Sequence, residues 1–333
     1  MQIAPLRRAA AAMAIGLTAL LAALLPAGAQ EYPTKPVTLL VVFAAGGPSD
    51  TLARLMGDHV GRQFGKQMVV ENVAGAGGVI GTVRGAQAAP DGYTILTQHQ
   101  GHAASHALYT GLKFDAVSDF EPLGLINRGP SVILSRANLE TKTLADLVAW
   151  LKTKGQDATI GHAGIGSNSF ICASVLQHAA GVRLSMVPYR GTGPAMNDLV
   201  SQQIDVLCDQ ATTSVPQIKA GTVKAYALTS DTRLKDLDVP SNVEAGMPAL
   251  VSTVWNGAYA PKGTPAAILD KWNAALQKFV ADPAIVERFA TTGTEPFPPE
   301  MRTREAHAKF LREQMAFFET LFTAMNVQKR EIK

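Results

Sequence analysis

Residues 37–55 read VTLLVVFAAGGPSDTLARL. The unbroken apolar run Val37–Phe43 predicts a strand buried on both faces. It stops at the turn Gly46-Gly47-Pro48. Ser49 or Asp50 then stands where a helix N-cap is expected, and Leu52, Leu55, Met56, Val60 and Phe64 share one face of the helix that follows. This grammar leaves first-turn N–H groups without an intrahelical partner, and such a row favours an anion. It occurs twice more. Ala158–His162 runs into AGIGSNS (163–169) and a helix, and Leu184–Tyr189 runs into RGTGPA (190–195) and a helix. Three such turns imply helix starts converging on a small anionic ligand.

Outward from these turns, strand and helix signals alternate. Further strands are expected at Met68–Glu71, Tyr93–Thr97, Val132–Ser135, Ile204–Cys208 and Val223–Thr229. Thr143 with Asp146 reads as a capping box, and Thr264-Pro265 as an N-cap with Pro at the first helical position. Pro299–Met325 reads as a last long helix. The alternation argues for an α/β fold with mainly parallel sheets. Glu121–Ser135 and Met247–Pro261 read as crossings between two domains. The chain then goes out once and returns once, giving a discontinuous domain, 30–130 plus 255–333, and a continuous one, 131–254. Sites in such pairs lie in the cleft, at strand C-terminal ends and helix N-termini.

The first residues read as a leader. Arg7 and Arg8 precede the uncharged stretch Ala9–Leu25, and Pro26–Ala29 supplies small residues for cleavage near Ala29. The apolar stretch is short for a membrane span, so 1–29 is expected to be a signal peptide and the mature protein periplasmic. The whole chain has 30 Lys and Arg against 27 Asp and Glu. Removal of the leader's arginines brings it closer to neutrality. The charges are dispersed, with no basic run carrying interleaved aromatics, so nothing points to nucleic acid. Cys172 and Cys208 belong to an exported chain. They either pair as a disulfide or lie buried as free thiols, and spacing alone does not choose.

Several chemistries have partial signatures. GAGGVIG (75–81) follows a strand, but its spacing is not that of a dinucleotide loop and no acidic strand end follows; a close backbone approach explains the glycines. No G-x-S-x-G elbow occurs, so a secreted hydrolase is a minor alternative. His99, His102 and His106 raise a metal receptor, but no Cys or carboxylate joins them. No cofactor, metal or catalytic residue is expected.

The motifs also carry a resemblance. YPTKPVTLLVVFAAGGPSDTLAR (32–54), VVENVAGAGG (69–78), AAPDGYT (88–94), AGIGSNS (163–169), VPYRGTGPAM (187–196), Asp209-Gln210, QIKAG (217–221) and YAPKGTP (259–265) resemble, in order, the receptors of tripartite tricarboxylate transporters, the Bug family. The resemblance implies a Venus-flytrap receptor of the type II periplasmic binding protein class, with two α/β domains joined by two hinge-crossing strands. It implies a monomer that binds a small organic carboxylate and delivers it to membrane permease subunits; the alternative is an input protein for a membrane histidine kinase. The implied ligand residues are Ala45, Gly46, Gly47, Ser49 and Asp50 from the first turn. Gly166, Ser167, Asn168 and Ser169 come from the second, followed by Phe170. Thr192 and Asp209 come from later elements, and Gln98 and His99 from the rim. Phe170 replaces the His of many relatives, and Pro48 a small residue. A Phe170 in the cleft would favour an apolar body on the ligand; a core position is the alternative. The clamp offers N–H groups aided by the Ser49, Ser167 and Ser169 hydroxyls. Arg190 is the nearest cation, and Asp209 is read as repelling a second carboxylate or, alternatively, as a helix cap.

Overall fold

The structure is a computed structural model that describes residues 31–332. The leader and its cleavage point lie outside them. The elements run β1 (Val37–Val41), α1 (Pro48–Phe64), β2 (Met68–Asn72), α2 (Val79–Ala86), β3 (Thr94–His99), α3 (Gly101–Leu108), β4 (Tyr109–Thr110) and β5 (Phe120–Arg136). Then come α4 (Leu144–Lys154), β6 (Thr159–His162), α5 (Asn168–Ala180), β7 (Ser185–Pro188), α6 (Thr192–Val200), β8 (Val206–Gln210), α7 (Ala211–Lys219) and β9 (Val223–Leu228). The chain continues through β10 (Thr253–Pro261), α8 (Ala266–Ala281), α9 (Pro283–Thr291), β11 (Glu295–Pro296), α10 (Arg304–Ala324) and β12 (Arg330–Glu331). Among the described residues no helix is long and apolar enough to cross a membrane.

Ten strands form one mixed sheet in the order β2-β1-β3-β10-β5-β8-β6-β7, with β9 and β11 also on β5, and β4 pairs with β12 in a separate two-stranded ladder. In one half β1, β2 and β3 are parallel and β10 runs against β3 and β5. In the other half β6, β7 and β8 are parallel, and β5 runs against β8 and β9. The 17-residue β5 therefore belongs to both. Its residues before Ser131 pair with β10, and those from Ser131 onward with β8. Where the chain returns, Thr229 staples the two passages. The Ser131 N–H donates to Thr229 Oγ1 (2.8 Å), and that hydroxyl donates to the Ser252 carbonyl (2.6 Å).

Each half has its own apolar interior. Leu40, Val42, Leu96, Phe120 and Tyr259 pack with Phe318 and Phe322 of α10 in the first. In the second, Ile133, Ile160, Leu176 and Val206 pack on one sheet face, and Leu134, Leu199 and Leu207 on the other. Burial of such side chains stabilises each half by roughly 1.5–3 kcal/mol per residue. Cys172 of α5 and Cys208 of β8 are joined as a disulfide, with Cα atoms 5.9 Å apart.

Two helix starts differ from expectation. The N-cap of α1 is Gly47, not Ser49 or Asp50, because Pro48 occupies the first helical position, where its missing N–H costs nothing. The helix α8 starts after Pro265, and the Thr264 hydroxyl donates back to the Pro261 carbonyl instead of capping. The Thr143–Asp146 capping box of α4 is present in both directions. The last helix begins at Arg304, after a single 3-10 turn at Pro299–Met301.

Candidate functional site

Four helix N-termini meet where the halves face each other. Gly47, Pro48 and Ser49 begin α1; Ser167, Asn168 and Ser169 begin α5; Thr192 begins α6; and Asp209 and Gln210 precede α7. All line one small cavity, together with Phe43, His99 and Ala163. Each start offers first-turn N–H groups and the positive end of its dipole. No Lys or Arg lines the cavity. Its attraction for an anion therefore comes from backbone dipoles.

The α5 turn is braced by its own hydroxyls. Ser167 Oγ accepts from the Phe170 N–H (3.2 Å) and lies 2.6 Å from the Gly164 carbonyl, to which it donates. Its proton is spent on the protein, which makes Ser167 a brace of the turn. Ser169 Oγ accepts from the Ala163 N–H (2.9 Å) and lies 3.1 Å from Ser167 Oγ. Asn168 spends both ends of its amide, donating to Ser131 Oγ and accepting from Gln100 Nε2, each at 2.9 Å. Gln100 is in turn stitched to Trp255 by two backbone-directed bonds of 3.1 Å. The second turn is thus tied to both passages between the halves.

His99 is buried, and its ring stacks on Phe43 at 4.9 Å. The Gly101 N–H donates to Nδ1 at 2.7 Å, so the neutral ring carries its proton on Nε2, a donor at the cavity wall. Burial pulls its pKa down to about 3. Asp209 is 1% exposed. Its carboxylate accepts from the Gln210 N–H (2.8 Å) and the Thr213 hydroxyl (2.5 Å). Burial pushes its pKa up to about 6, against the opposing hydrogen bonds of Thr213, Gln210 and Thr192. The N-cap of α7 is Gln210, so Asp209 is a cavity-wall acid and not the cap.

Of the expected site residues, Gly47, Ser49, His99, Ser167, Asn168, Ser169, Thr192 and Asp209 come together around the cavity. Ala45 and Gly46 line an adjoining open cleft with Gly193 and Arg288. Asp50 turns away from the cavity: its carboxylate accepts from the Gly46 N–H (3.1 Å) and pairs with Arg54 at 2.9 Å. Burial pushes the Asp50 carboxyl up, yet the Arg54, Gly46 and Asn72 hydrogen bonds outweigh it and hold the pKa below the usual value. Gln98 donates to Thr82 Oγ1 (3.0 Å) and accepts from the His99 N–H (2.9 Å), beneath the site. Gly166, in the turn before α5, does not line the cavity. Phe170 packs edge-on against His162 in a different groove, because a side chain one turn into α5 points off the helix axis that aims at the cavity. Arg190 is exposed and lines that same groove, not the cavity. His102 sits among Phe114, Phe120 and Tyr259, and His106 accepts from the Ala116 N–H; among the described residues no three His, Cys, Asp or Glu are grouped to hold a metal ion. Phe43, Ala163 and Gln210 line the cavity without having been singled out, and no local signal marks them.

The two halves are in contact on either side of the cavity. The Ala44 N–H donates to the Arg190 carbonyl at 3.1 Å, joining the first turn to the third. Gly191 there faces Ala44 so closely that an added Cβ would lie 3.1 Å from its backbone nitrogen. On the other flank Gly77, at φ +63°, leaves no room at all: a Cβ would lie 1.5 Å from the Ile165 carbonyl oxygen. The glycines of 75–81 thus serve close approach to other parts of the chain, Ile80, Ile165, Val42 and Val73.

Residues 52–327 match the family model described as tripartite tricarboxylate transporter family receptor. The chain belongs to that family. A relative from Agrobacterium vitis, the UPF0065 protein in the TAR-I ttuE-ttuC' intergenic region, is 44% identical over 88% of this chain and 85% of its own. Among solved structures, the periplasmic binding protein BugD matches with a TM-score of 0.86 and 39% identity, over 90% of this chain and all of that one. MatC from Rhodopseudomonas palustris with bound malate matches with a TM-score of 0.84 and 35% identity, over 87% of this chain and 99% of that one. The receptor thus shares the α/β fold of the periplasmic binding proteins, and its solved relatives are binding proteins.

Proposed function

We propose that this receptor is exported to the periplasm, captures a small organic carboxylate between its two lobes, and hands it to the membrane permease of a tripartite tricarboxylate transporter. The lobes are 30–130 with 255–333, and 131–254. One observation carries the reading: four helix N-termini converge on a single small cavity that has no side-chain cation. A carboxylate there accepts charge-assisted N–H bonds, each worth roughly 1.5–3 kcal/mol. The His99 Nε2–H adds a side-chain donor, and the Ser169 hydroxyl a second once it turns from Ser167 Oγ to the ligand. Asp209 faces the rest of the ligand and calls for a hydroxyl, an ammonium or a protonated carboxyl opposite it. Malate, bound by MatC, offers a hydroxyl beside its carboxylates, so C4 hydroxy acids are the first candidates. The ligand acts by binding the closed form better than the open one.

A thermal-shift screen of mono-, di- and hydroxycarboxylates tests this. A specific acid raises the melting temperature, since a ligand that binds only the folded chain stabilises it. A screen in which no carboxylate does so refutes the reading, and turnover of an acid by the pure protein replaces it with an enzyme.

A further inference from the structure

A second groove shares none of the cavity's lining residues. It runs over the seam between the halves. Its floor is the contact of Gly75–Gly77 with Gly164 and Ile165, and its walls carry Tyr109, Phe170, Tyr189 and two arginines. Arg330 comes from the first half, set beside Tyr109 by the β12–β4 ladder. Arg190 comes from the second, at the turn before α6. Both are exposed, and neither guanidinium makes an ion pair or a hydrogen bond among the described residues. No Asp or Glu lines the groove. Arg330 lies close enough to Tyr109 and His162 to bear on the charge state of both rings. The groove therefore combines unpaired positive charge from both halves with aromatic faces, and its floor exists only where the halves touch.

We propose that this groove is the docking site for an acidic peptide segment of the membrane partner, and that it is complete only while the halves are closed. The proposal rests on the two-lobed receptor reading above. Guanidinium forks suit carboxylates, and the ring faces suit an aromatic or aliphatic residue between them. A recessed seam with two arginines matches one extended segment better than the plane of an anionic lipid surface, which is met by dense basic clusters. Partner recognition then reports ligand, because separation of Gly77 from Ile165 divides the floor and moves Arg190 away from Arg330.

The test uses the purified full chain and a labelled peptide of alternating Glu and Phe, read by fluorescence anisotropy with and without the acid that gives the largest melting shift. The expected result is peptide binding that strengthens with the acid and weakens about tenfold or more in R190E/R330E, whose melting shift with the acid is unchanged. No peptide binding, or affinity unaltered by the charge reversal, overturns the groove assignment. Equal affinity with and without the acid overturns its dependence on closure. Charge-dependent binding to phosphatidylglycerol vesicles, but not to the peptide, overturns the peptide in favour of a lipid surface. The underlying reading fails separately, when no carboxylate shifts the melting temperature of the wild-type chain.

Discussion

The Tyr109 hydroxyl lies 2.9 Å from the carbonyl oxygen of Ile165, across the seam between the halves, and 3.2 Å from the carbonyl oxygen of Ala76 on its own side. One phenol proton is shared between the two turns that meet at Gly77. Burial pushes its pKa up to about 12, so it stays a donor at every pH the protein meets.

Removing that hydroxyl loosens closure without touching the cavity. A hydrogen bond of this kind contributes roughly 0.5–1.5 kcal/mol. Y109F therefore weakens carboxylate binding by about three- to tenfold, as measured by calorimetry, and small-angle scattering shows a larger radius for the unliganded variant. Unchanged affinity and radius would separate Tyr109 from closure.

Ser167 and Ser169 are chemically alike and placed differently. The Ser167 hydroxyl caps α5 and donates to Gly164, whereas Ser169 accepts from the Ala163 N–H and, with the Ser167 proton on Gly164, donates its own to Ser167 Oγ at 3.1 Å, the longer bond and the one a ligand can replace. S167A costs about 1 kcal/mol of folding stability through the lost cap, with a smaller change in affinity. S169A lowers carboxylate affinity more than S167A does, because the Ser169 proton can pass from Ser167 to a bound carboxylate, and it also lowers the melting temperature by leaving the buried Ala163 N–H without its acceptor. Denaturant titration and calorimetry on both variants check the split; the opposite pattern refutes it.

The same contrast explains what was legible in the chain. Apolar runs ended by glycine turns carry their signal in a few adjacent residues, and β1, β6 and β7 with their turns were read from these. The fourth helix start, at Asp209-Gln210-Ala211, has no glycine and so did not read as a turn. Gln100 owes its role to Trp255, 155 residues away, and only tertiary pairing brings the two together. Phe170 had two readings, cleft or core, and it packs against His162 and the first core, because three residues past the Ser167 cap its side chain has turned away from the cavity.

Asp209 makes binding of a dianion depend on pH. Its pKa is about 6, above its ordinary value, so the protonated form predominates below that and donates to a second carboxylate, while the ionised form repels it. The groups nearest it are uncharged: Ser49 from α1, Ser167 and Ser169 from α5, Thr192 from α6, Thr213 from α7 and neutral His99 from β3. Dicarboxylate affinity therefore falls as pH rises through about 6, and D209N abolishes the fall, its amide still meeting Gln210 and Thr213. The raised pKa also stabilises the fold below the unfolded value of 3.8, an effect lost as pH rises through about 6. Parallel pH profiles for the two proteins would refute the role of Asp209.

The disulfide holds α5 to the sheet that ends in Asp209. Cys172 and Cys208 are 36 residues apart, and a crosslink of that span stabilises a fold by about 3–4 kcal/mol through the unfolded chain. C172A/C208A lowers the denaturation midpoint accordingly, and wild type under reducing conditions follows it. A midpoint insensitive to both would show that packing alone secures α5.

Four buried histidines set the acid limit of the fold, and His99, His102 and His307 are shifted more than His162. His99, His102 and His307 are each 2% exposed or less, and burial pulls each pKa down to about 3 from 6.5. Both ring nitrogens of His307, Nδ1 of His102 and the Tyr259 hydroxyl have no partner among the described residues; at His102 the Ala116 carbonyl, 3.1 Å from Nε2, and Asp115 favour an imidazolium, but burial outweighs them. Between pH 6.5 and about 3 the unfolded chain binds protons that the folded chain refuses. Stability is therefore full above 6.5 and falls with acid, by up to about 1.4 kcal/mol per pH unit for each histidine. H307F removes one of the three while keeping ring volume against Trp255 and Tyr259. Urea unfolding from pH 7 to pH 4 should show wild type losing stability more steeply than H307F, by up to one proton, with Asp209 offsetting one proton of the slope in both below about 6. Equal slopes would mean that His307 protonates freely in the native state.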